Sequence, residues 1–165
     1  MAIRPILHYP HPTLKTDSAA CLPTDPATQT VAQDLLDTLA ASPGVALAAP
    51  QICYALRVIV VDVSRKKGET GHGLIVMVNP VILALEGRKI LREGCLSVPD
   101  YTGNVLRYEQ AVVESLALDG RIVTLTTSGF EALAFQHEVD HLNGLLFLDR
   151  IQSLSTDLFR RKAQG

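Results

Sequence analysis

"AVVESLALDGRIVTLTT", residues 111–127, alternates β-forming and polar side chains on both sides of an Asp119-Gly120 pair. An Asp-Gly pair between two alternating runs is typical of a β-hairpin. The next stretch, "SGFEALAFQHEVDHLNG" at residues 128–144, changes to the period of a helix, and Gly144 stands where a left-handed residue commonly ends one. A hairpin that leads directly into a helix over residues 129–143 indicates that sheet and helix share one domain.

A second, amphipathic helix is predicted over residues 25–41. Val31, Leu35 and Leu39 recur every four residues and define an apolar face, whereas Asp34 is expected to face away from it. The tripeptide "SPG" at residues 42–44 would end this helix.

Further strands are predicted between the two helices. "VALAAPQ" at residues 45–51 can run as a short extended segment, and "LRVIVVDV" at residues 56–63 is β-branched and indicates a buried strand. "LIVMVNPVILAL" at residues 74–85 contains an Asn-Pro break, which predicts two short strands or one bent edge strand. The connections are too short for crossover helices, so we expect an α+β fold: antiparallel strands packed around a central helix, in one domain over residues 1–165.

Composition excludes several classes of partner. The 15 basic and 17 acidic side chains nearly cancel, so no field attracts nucleic acid or anionic lipid, and no apolar run is long enough to cross a bilayer. No secretory signal is visible, and three widely spaced cysteines do not resemble a disulfide framework. We therefore expect a cytoplasmic protein with reduced thiols.

The helix predicted over residues 129–143 carries a metal-binding pattern. His137 and His141 lie one turn apart on the same face, and Glu138 lies about 100° around the helix from His137. In H-E-x-x-H the two imidazoles bind an ion while the carboxylate moves protons. The alternative is a solvated helix face that carries these residues by chance.

A tetrahedral ion needs a third protein ligand besides the two histidines. No histidine follows His141, and the later acids are Asp149 and Asp157, so the downstream route used by zincin proteases is poor. Upstream, Cys95 in "REGCLSVPDY" is expected at the start of a short strand, where its thiol would be presented. The alternative for Cys95 is a small buried apolar residue.

Three motifs resemble the signatures of the peptide deformylase family and occur in the same order. They are "GVALAAPQ" at residues 44–51, "EGCLS" at residues 93–97 and "QHEVDHLNG" at residues 136–144. The likeness extends from "YPHPTLK" near the N-terminus to "FLDR", which ends at Arg150. The resemblance implies a metal-dependent hydrolase that removes the formyl group from formyl-methionyl N-termini of newly made proteins and releases formate.

The resemblance also implies roles at the reacting centre. One divalent metal ion would be held by Cys95, His137 and His141; iron(II) is expected in cells, with zinc, nickel or cobalt able to replace it. Glu138 would accept a proton from the attacking water and deliver it to the departing amine. The side-chain amide of Gln51 and the backbone N–H of Leu96 would stabilise the developing oxyanion.

An apolar pocket is expected for the first side chain of the substrate, normally methionine. Phe130, Leu133 and Ala134 precede His137 by seven, four and three residues and so follow the same helix face, although plain core is the alternative for Phe130. The resemblance adds Val45 and Leu91 to this pocket. Asp140 could orient a ligand, with a solvent-facing salt bridge as the alternative, and Arg107 matches a basic residue of the family.

One departure from the family pattern bears on the substrate. The first motif usually has a second glycine where this chain has Ala46, and a methyl group there would narrow the space for a peptide backbone. The alternatives are therefore a family member of altered specificity for N-acyl peptides, or a catalytically silent one. The family role implies formylated nascent peptides as partners and transient association with the ribosome.

Overall fold

The computed structural model describes residues 2–161. Within that range the chain forms two α-helices and a six-stranded sheet. The helices are α1 (Pro26–Ala40) and α2 (Gly129–Leu142); the strands are β1 (Ala46–Ala48), β2 (Val58–Val61), β3 (Ile75–Cys95), β4 (Val98–Leu116), β5 (Ile122–Ser128) and β6 (Leu158–Arg160).

The sheet is antiparallel throughout. Its strands follow the order β1-β2-β3-β4-β5, and β6 pairs with β4. The predicted hairpin is confirmed: β4 and β5 pair across a turn closed by the Ala117 N–H donating to the Arg121 carbonyl at 2.9 Å. Gly120 has φ +92°, which a glycine adopts without strain. The α+β class with antiparallel strands is therefore confirmed.

Helix α2 begins directly after β5 and ends as the sequence predicts. At its C-terminus the Gly144 N–H donates to the His141 carbonyl and the Leu145 N–H to the Asp140 carbonyl, and Gly144 has φ +73°. This pair of hydrogen bonds is a Schellman motif, which provides donors for carbonyl groups that the helix leaves without a partner. The helix is almost wholly buried against the sheet, so its polar residues lie inside the protein.

The two helices cover opposite faces of β2. Ile59 and Val61 pack with Phe135 of α2, while Val58 and Val60 belong to the cluster that contains Leu35 of α1. A strand buried on both faces needs apolar side chains at every position, which explains the continuous β-branched run in this part of the sequence.

The expectation that Asp34 faces away from the core is wrong. Its carboxylate is fully buried and accepts hydrogen bonds from the Ala2 N–H at 2.7 Å, the Arg4 guanidinium at 3.1 Å and the Tyr54 hydroxyl at 3.1 Å. The N-terminal segment crosses α1 here, and its backbone donor needs an acceptor in this buried position. Asp34 therefore ties the N-terminal segment to α1.

Strand β3 is much longer than the sequence predicts. It is one bent strand of 21 residues that pairs with β2 over residues 75–78 and with β4 from Val78 onwards, across the Asn79-Pro80 break. Asn79 has φ +51°, and its side chain exchanges two hydrogen bonds with the Cys21 backbone, at 3.1 and 2.8 Å. Cys95 is consequently the last residue of a long strand, so the expectation of a short strand beginning there is wrong.

Within residues 2–161, neither α1 nor α2 has the length and apolar character that crossing a membrane requires.

Candidate metal centre

The end of β3 and one face of α2 bring three potential ligands together. Cys95 Sγ lies 3.4 Å from His141 Nε2, and His141 Nε2 lies 3.2 Å from His137 Nε2. All three ligand atoms lie within 4.8 Å of one another. The spacing of the two histidines predicted two of the three ligands, and the end of strand β3 supplies the third, Cys95, which lies 42 residues before His137.

The donor set fits a metal ion. His137 Nδ1 hydrogen-bonds to the Glu93 carboxylate, which requires a proton on Nδ1, so Nε2 is the nitrogen that faces His141 Nε2 and Cys95 and is available to bind an ion. A thiolate with two imidazole nitrogens is a ligand set for zinc, iron, nickel or cobalt. The three residues are largely buried, so their ligand atoms have little access to water, and a bound cation would compensate for this desolvation.

The charges around His137 also favour a cation. Burial lowers the pKa of His137, but the carboxylates of Glu93 and Glu138 and the Cys95 thiol outweigh it and raise that pKa well above its ordinary value. Burial and the neighbouring His137 lower the pKa of His141 well below the ordinary value, so this ring stays neutral. A neutral imidazole is the form that binds a metal.

Glu138 lies beside the three ligand atoms. Its Oε2 is 3.9 Å from His137 Nε2, and its Oε1 is buried without a hydrogen-bond partner among residues 2–161. Burial raises the pKa of Glu138 to about 7, against opposing effects of His137 and Arg107. A carboxyl group with this pKa can both take up and release a proton near neutral pH.

Gln51 directs its amide nitrogen at the same centre. Its Oε1 accepts from the Ala48 N–H at 2.9 Å, and its Nε2 donates to Ser97 Oγ at 3.1 Å and faces Cys95 Sγ at 3.7 Å. The short helical turn of residues 49–52 presents Gln51 in this buried position. The hydrogen bond to Ala48 determines which end of the amide faces inward.

A buried ionic network holds the centre from behind. Arg107 donates two hydrogen bonds to Glu93, at 2.9 and 2.6 Å, and one to Asp140 at 2.6 Å; Asp140 also accepts from Arg150 at 2.8 Å. Burial raises the pKa of Glu93, but His137 and Arg107 bring it down to about 2, so this carboxyl is ionised. The network fixes the His137 ring through Glu93.

One expectation for this network needs correction, and one of its residues was missed. Asp140 is buried rather than solvent-facing, and its partners are Arg107 and Arg150. Glu93 was missed as a site residue, although alternation along a strand puts it on the same face as Cys95 two residues later. Alternation along β4 likewise puts Arg107 on the inward face. This alternation is the signal in the sequence that could have indicated a buried role for Arg107.

A cavity of about 510 Å³ opens beside the potential metal ligands. Its wall includes most of the predicted substrate residues, and Leu91 lies outside it. The lining residues are Pro43, Gly44, Val45, Ala46, Gln51, Lys66, Arg92, Glu93, Gly94, Cys95, Leu96, Pro99, Phe130, Leu133, Ala134, His137, Glu138 and Arg161.

Comparisons with known proteins point in one direction. The family model described as polypeptide deformylase matches residues 3–157. A peptide deformylase of Syntrophobacter fumaroxidans is 42% identical over 162 residues, which cover 98% of this chain and 94% of that protein. A peptide deformylase of Halothermothrix orenii is 40% identical, with 89% and 92% covered.

Solved structures give the same result. The crystal structure of a peptide deformylase from Legionella pneumophila superposes with a TM-score of 0.84 at 40% identity, over 93% of this chain and 88% of that one. The class I type b peptide deformylase of Acinetobacter baumannii with bound Met-Ala-Ser superposes with a TM-score of 0.83 at 36% identity, over 91% of this chain and 99% of that one.

Proposed function

The chain belongs to the peptide deformylase family, and on this premise we propose how its own residues carry out the reaction. The reaction is the hydrolysis of the formyl amide at the N-terminus of newly made peptides, which releases formate and a free amine. The assignment of residues rests on one observation: the ligand atoms of Cys95, His137 and His141 lie close together, beside the buried carboxyl group of Glu138.

Cys95, His137 and His141 are the residues that hold a divalent metal ion. Such an ion, when bound, polarises the formyl carbonyl and lowers the pKa of water. Iron(II) is the proposed ion in cells, and zinc, nickel or cobalt can replace it, because thiolate and imidazole donors suit all four. Glu93 orients His137 through its Nδ1 proton, and Arg107 keeps Glu93 in place.

Glu138 moves the proton during hydrolysis. It takes a proton from the water that attacks the formyl carbon and then delivers it to the nitrogen as the carbon–nitrogen bond breaks. Its carboxyl is suited to both steps, since its pKa is raised to about 7 and Oε1 has no hydrogen-bond partner among the described residues.

Gln51 and Leu96 stabilise the negative charge that develops on the formyl oxygen. The Gln51 Nε2 is held towards the centre by the bonds that its amide makes to Ala48 and Ser97, so it needs no reorganisation during the reaction. The Leu96 backbone N–H is the second donor of this proposal, in the residue directly after Cys95.

The methionine side chain occupies the apolar part of the cavity. Val45, Phe130, Leu133 and Ala134 contribute to that wall, and Ala46 lies on β1, the first strand of the sheet, where an extended substrate can pair with the strand edge. The Met-Ala-Ser bound to the Acinetobacter baumannii relative supports the binding of a short peptide that begins with methionine. Leu91 is not part of the proposal because it lies outside the cavity wall.

The wider setting is also proposed. Residues 1–165 form one catalytic domain in which α2 is the central helix, supported by a family match over residues 3–157 and by the burial of α2. The enzyme works in the cytoplasm and contacts the ribosome transiently, because its substrate is the N-terminus of a chain under synthesis.

A comparison of two glutamate variants tests the assignment. The protein is purified anaerobically, its metal content is measured, and formate release from formyl-Met-Ala-Ser is followed for wild type, Glu138→Gln and the exposed control Glu86→Gln. We expect one metal ion per chain in all three and a loss of about 10²–10⁴-fold in kcat for Glu138→Gln alone. Full activity of Glu138→Gln would refute the proton-transfer role, and full metal content of a Cys95→Ala variant would refute the ligand set.

A further inference from the structure

Three cationic side chains line the cavity that receives the substrate. Lys66 follows the short helical turn of residues 63–65, Arg92 lies on β3, and Arg161 follows β6. All three residues are exposed, and no ion pair joins any of them to a carboxylate within residues 2–161. The carboxylates of the lining, Glu93 and Glu138, are buried at the reacting centre instead.

Aromatic rings hold two of these cations in place. The Lys66 ammonium lies 4.0 Å from the centre of the Phe130 ring, and the Arg92 guanidinium lies 3.5 Å from the centre of the Phe159 ring. Arg92 also donates to Asn104 Oδ1 at 3.3 Å. Side chains already restrained in this way lose less conformational freedom when they bind a ligand than free surface lysines do.

Arg161 reaches the part of the wall next to Cys95. A methyl group at Gly94 would clash with Arg161 Nη2, so the guanidinium packs directly over this glycine. The Arg161 backbone is fixed by its N–H, which donates to the Asp100 carbonyl at 2.7 Å. The absence of a side chain at Gly94 therefore leaves room for the Arg161 guanidinium over the backbone of β3 at the cavity wall.

The formylated end of the substrate carries no charge, so a cation on the wall has no partner in the formyl-methionyl group itself. An extended peptide advances about 3.3 Å per residue, so the second to fourth residues leave the cavity past side chains as long as lysine and arginine. We propose that Lys66, Arg92 and Arg161 form a subsite that selects formylated peptides with an aspartate or glutamate among the residues that follow methionine. This inference rests on the proposed position of the substrate in the cavity.

Matched peptides measure the selectivity. The peptides are formyl-Met-Asp-Ala-Ala amide and formyl-Met-Ala-Asp-Ala amide, each with its asparagine counterpart, and the C-terminal amide removes the terminal charge. For the metal-loaded wild type at low salt, we expect kcat/KM for at least one aspartate peptide to exceed that of its asparagine counterpart by about two- to fivefold, the range of an exposed ion pair. The ratio should fall towards one at high salt, because exposed charges are screened.

Charge-removing variants assign the effect to these residues. Arg92→Gln, Arg161→Gln, Lys66→Gln and the triple variant should lower the aspartate-to-asparagine ratio, the triple variant to about one, whereas Arg88→Gln, an exposed position of β3 outside the cavity, should leave it at the wild-type value. A merely structural role would change both peptides of a pair equally and so leave the ratio intact.

The outcomes separate this subsite from the reaction itself. Equal kcat/KM for all pairs, or a ratio that survives in the triple variant, would overturn the subsite while formate release upheld the reaction. Failure to release formate from every peptide would overturn the proposed reacting centre and the subsite with it.

Discussion

Replacement of Arg107 by methionine should destabilise the protein more than any loss of a surface ion pair. The Arg107 guanidinium is only 3% exposed and donates to Glu93 at 2.9 and 2.6 Å and to Asp140 at 2.6 Å. Methionine fills a similar volume but leaves two buried carboxylates without their shared cation. Breaking a buried pair by removing one partner costs about 3–5 kcal/mol, a large part of the roughly 5–15 kcal/mol that stabilises a typical domain.

Urea unfolding of the metal-loaded and the metal-stripped protein measures this loss. Lys89→Met is the matched control, because Lys89 pairs with Glu109 at 3.0 Å while both side chains are 52% exposed, and it should cost about 1 kcal/mol or less. The double variant Arg107→Met/Glu93→Gln should be more stable than Arg107→Met alone, since it removes one of the stranded charges while the glutamine oxygen can still accept from His137.

A cost of Arg107→Met no greater than that of the Lys89→Met control, in both states of the protein, would refute the stabilising role of the buried guanidinium. Further destabilisation of Arg107→Met by Glu93→Gln would show that the dominant cost is a lost contact and not an unpaired charge.

Three further predictions concern the site and its surroundings. Glu93→Gln should weaken metal binding by about 10- to 100-fold, measured by competition with a chelator, because His137 loses its charged acceptor; unchanged affinity would contradict the orienting role. Glu131 accepts from Thr127 Oγ1 at 2.7 Å and the His72 N–H at 2.6 Å, and although burial raises its pKa, these bonds and His72 lower it overall. Glu131 therefore contributes fully to stability above the pKa of about 4.3 that it has in the unfolded chain, and the contribution is lost as the pH falls through its lower pKa in the folded protein. Glu131→Gln should thus make the free energy of unfolding, measured from pH 6 to pH 3, decrease less steeply as the pH falls. Ala46→Gly should raise turnover of formyl-Met peptides by removing a methyl group from the cavity wall, and equal or slower formate release would refute this steric argument.

The elements that could be predicted are those whose own residues carry a periodic pattern. The turn at Asp119-Gly120, the end of β5 and helix α2 are correct to within a residue or two, and α1 begins and ends one residue inside its predicted limits. Local turn chemistry and apolar spacing act over a few residues, so they can be read without knowing the partner segment.

The second half of β3 and the first half of β4 could not be predicted in this way. Residues 86–90 are exposed and three of the five are charged, so they show no apolar alternation. These parts of β3 and β4 are strands because they pair with each other, as in the register of Leu85 with Ala111 and of Arg92 with Asn104. Cross-strand hydrogen bonding of this kind depends on the partner and leaves no mark in a single exposed segment.

At the candidate site the sequence determined the helical pair His137 and His141 with Glu138 between them, because one turn of helix places i and i+4 on the same face. It also carried the family resemblance that named Cys95 and the reaction. Only the tertiary structure decided which residues surround these three. The approach of the Cys95 thiol, the Glu93–Arg107–Asp140 network and the cations Lys66, Arg92 and Arg161 on the cavity wall come from segments far apart in the chain. Charge and burial act through space, so a carboxylate that looks solvent-exposed in the sequence becomes a buried partner once the sheet folds over the helix.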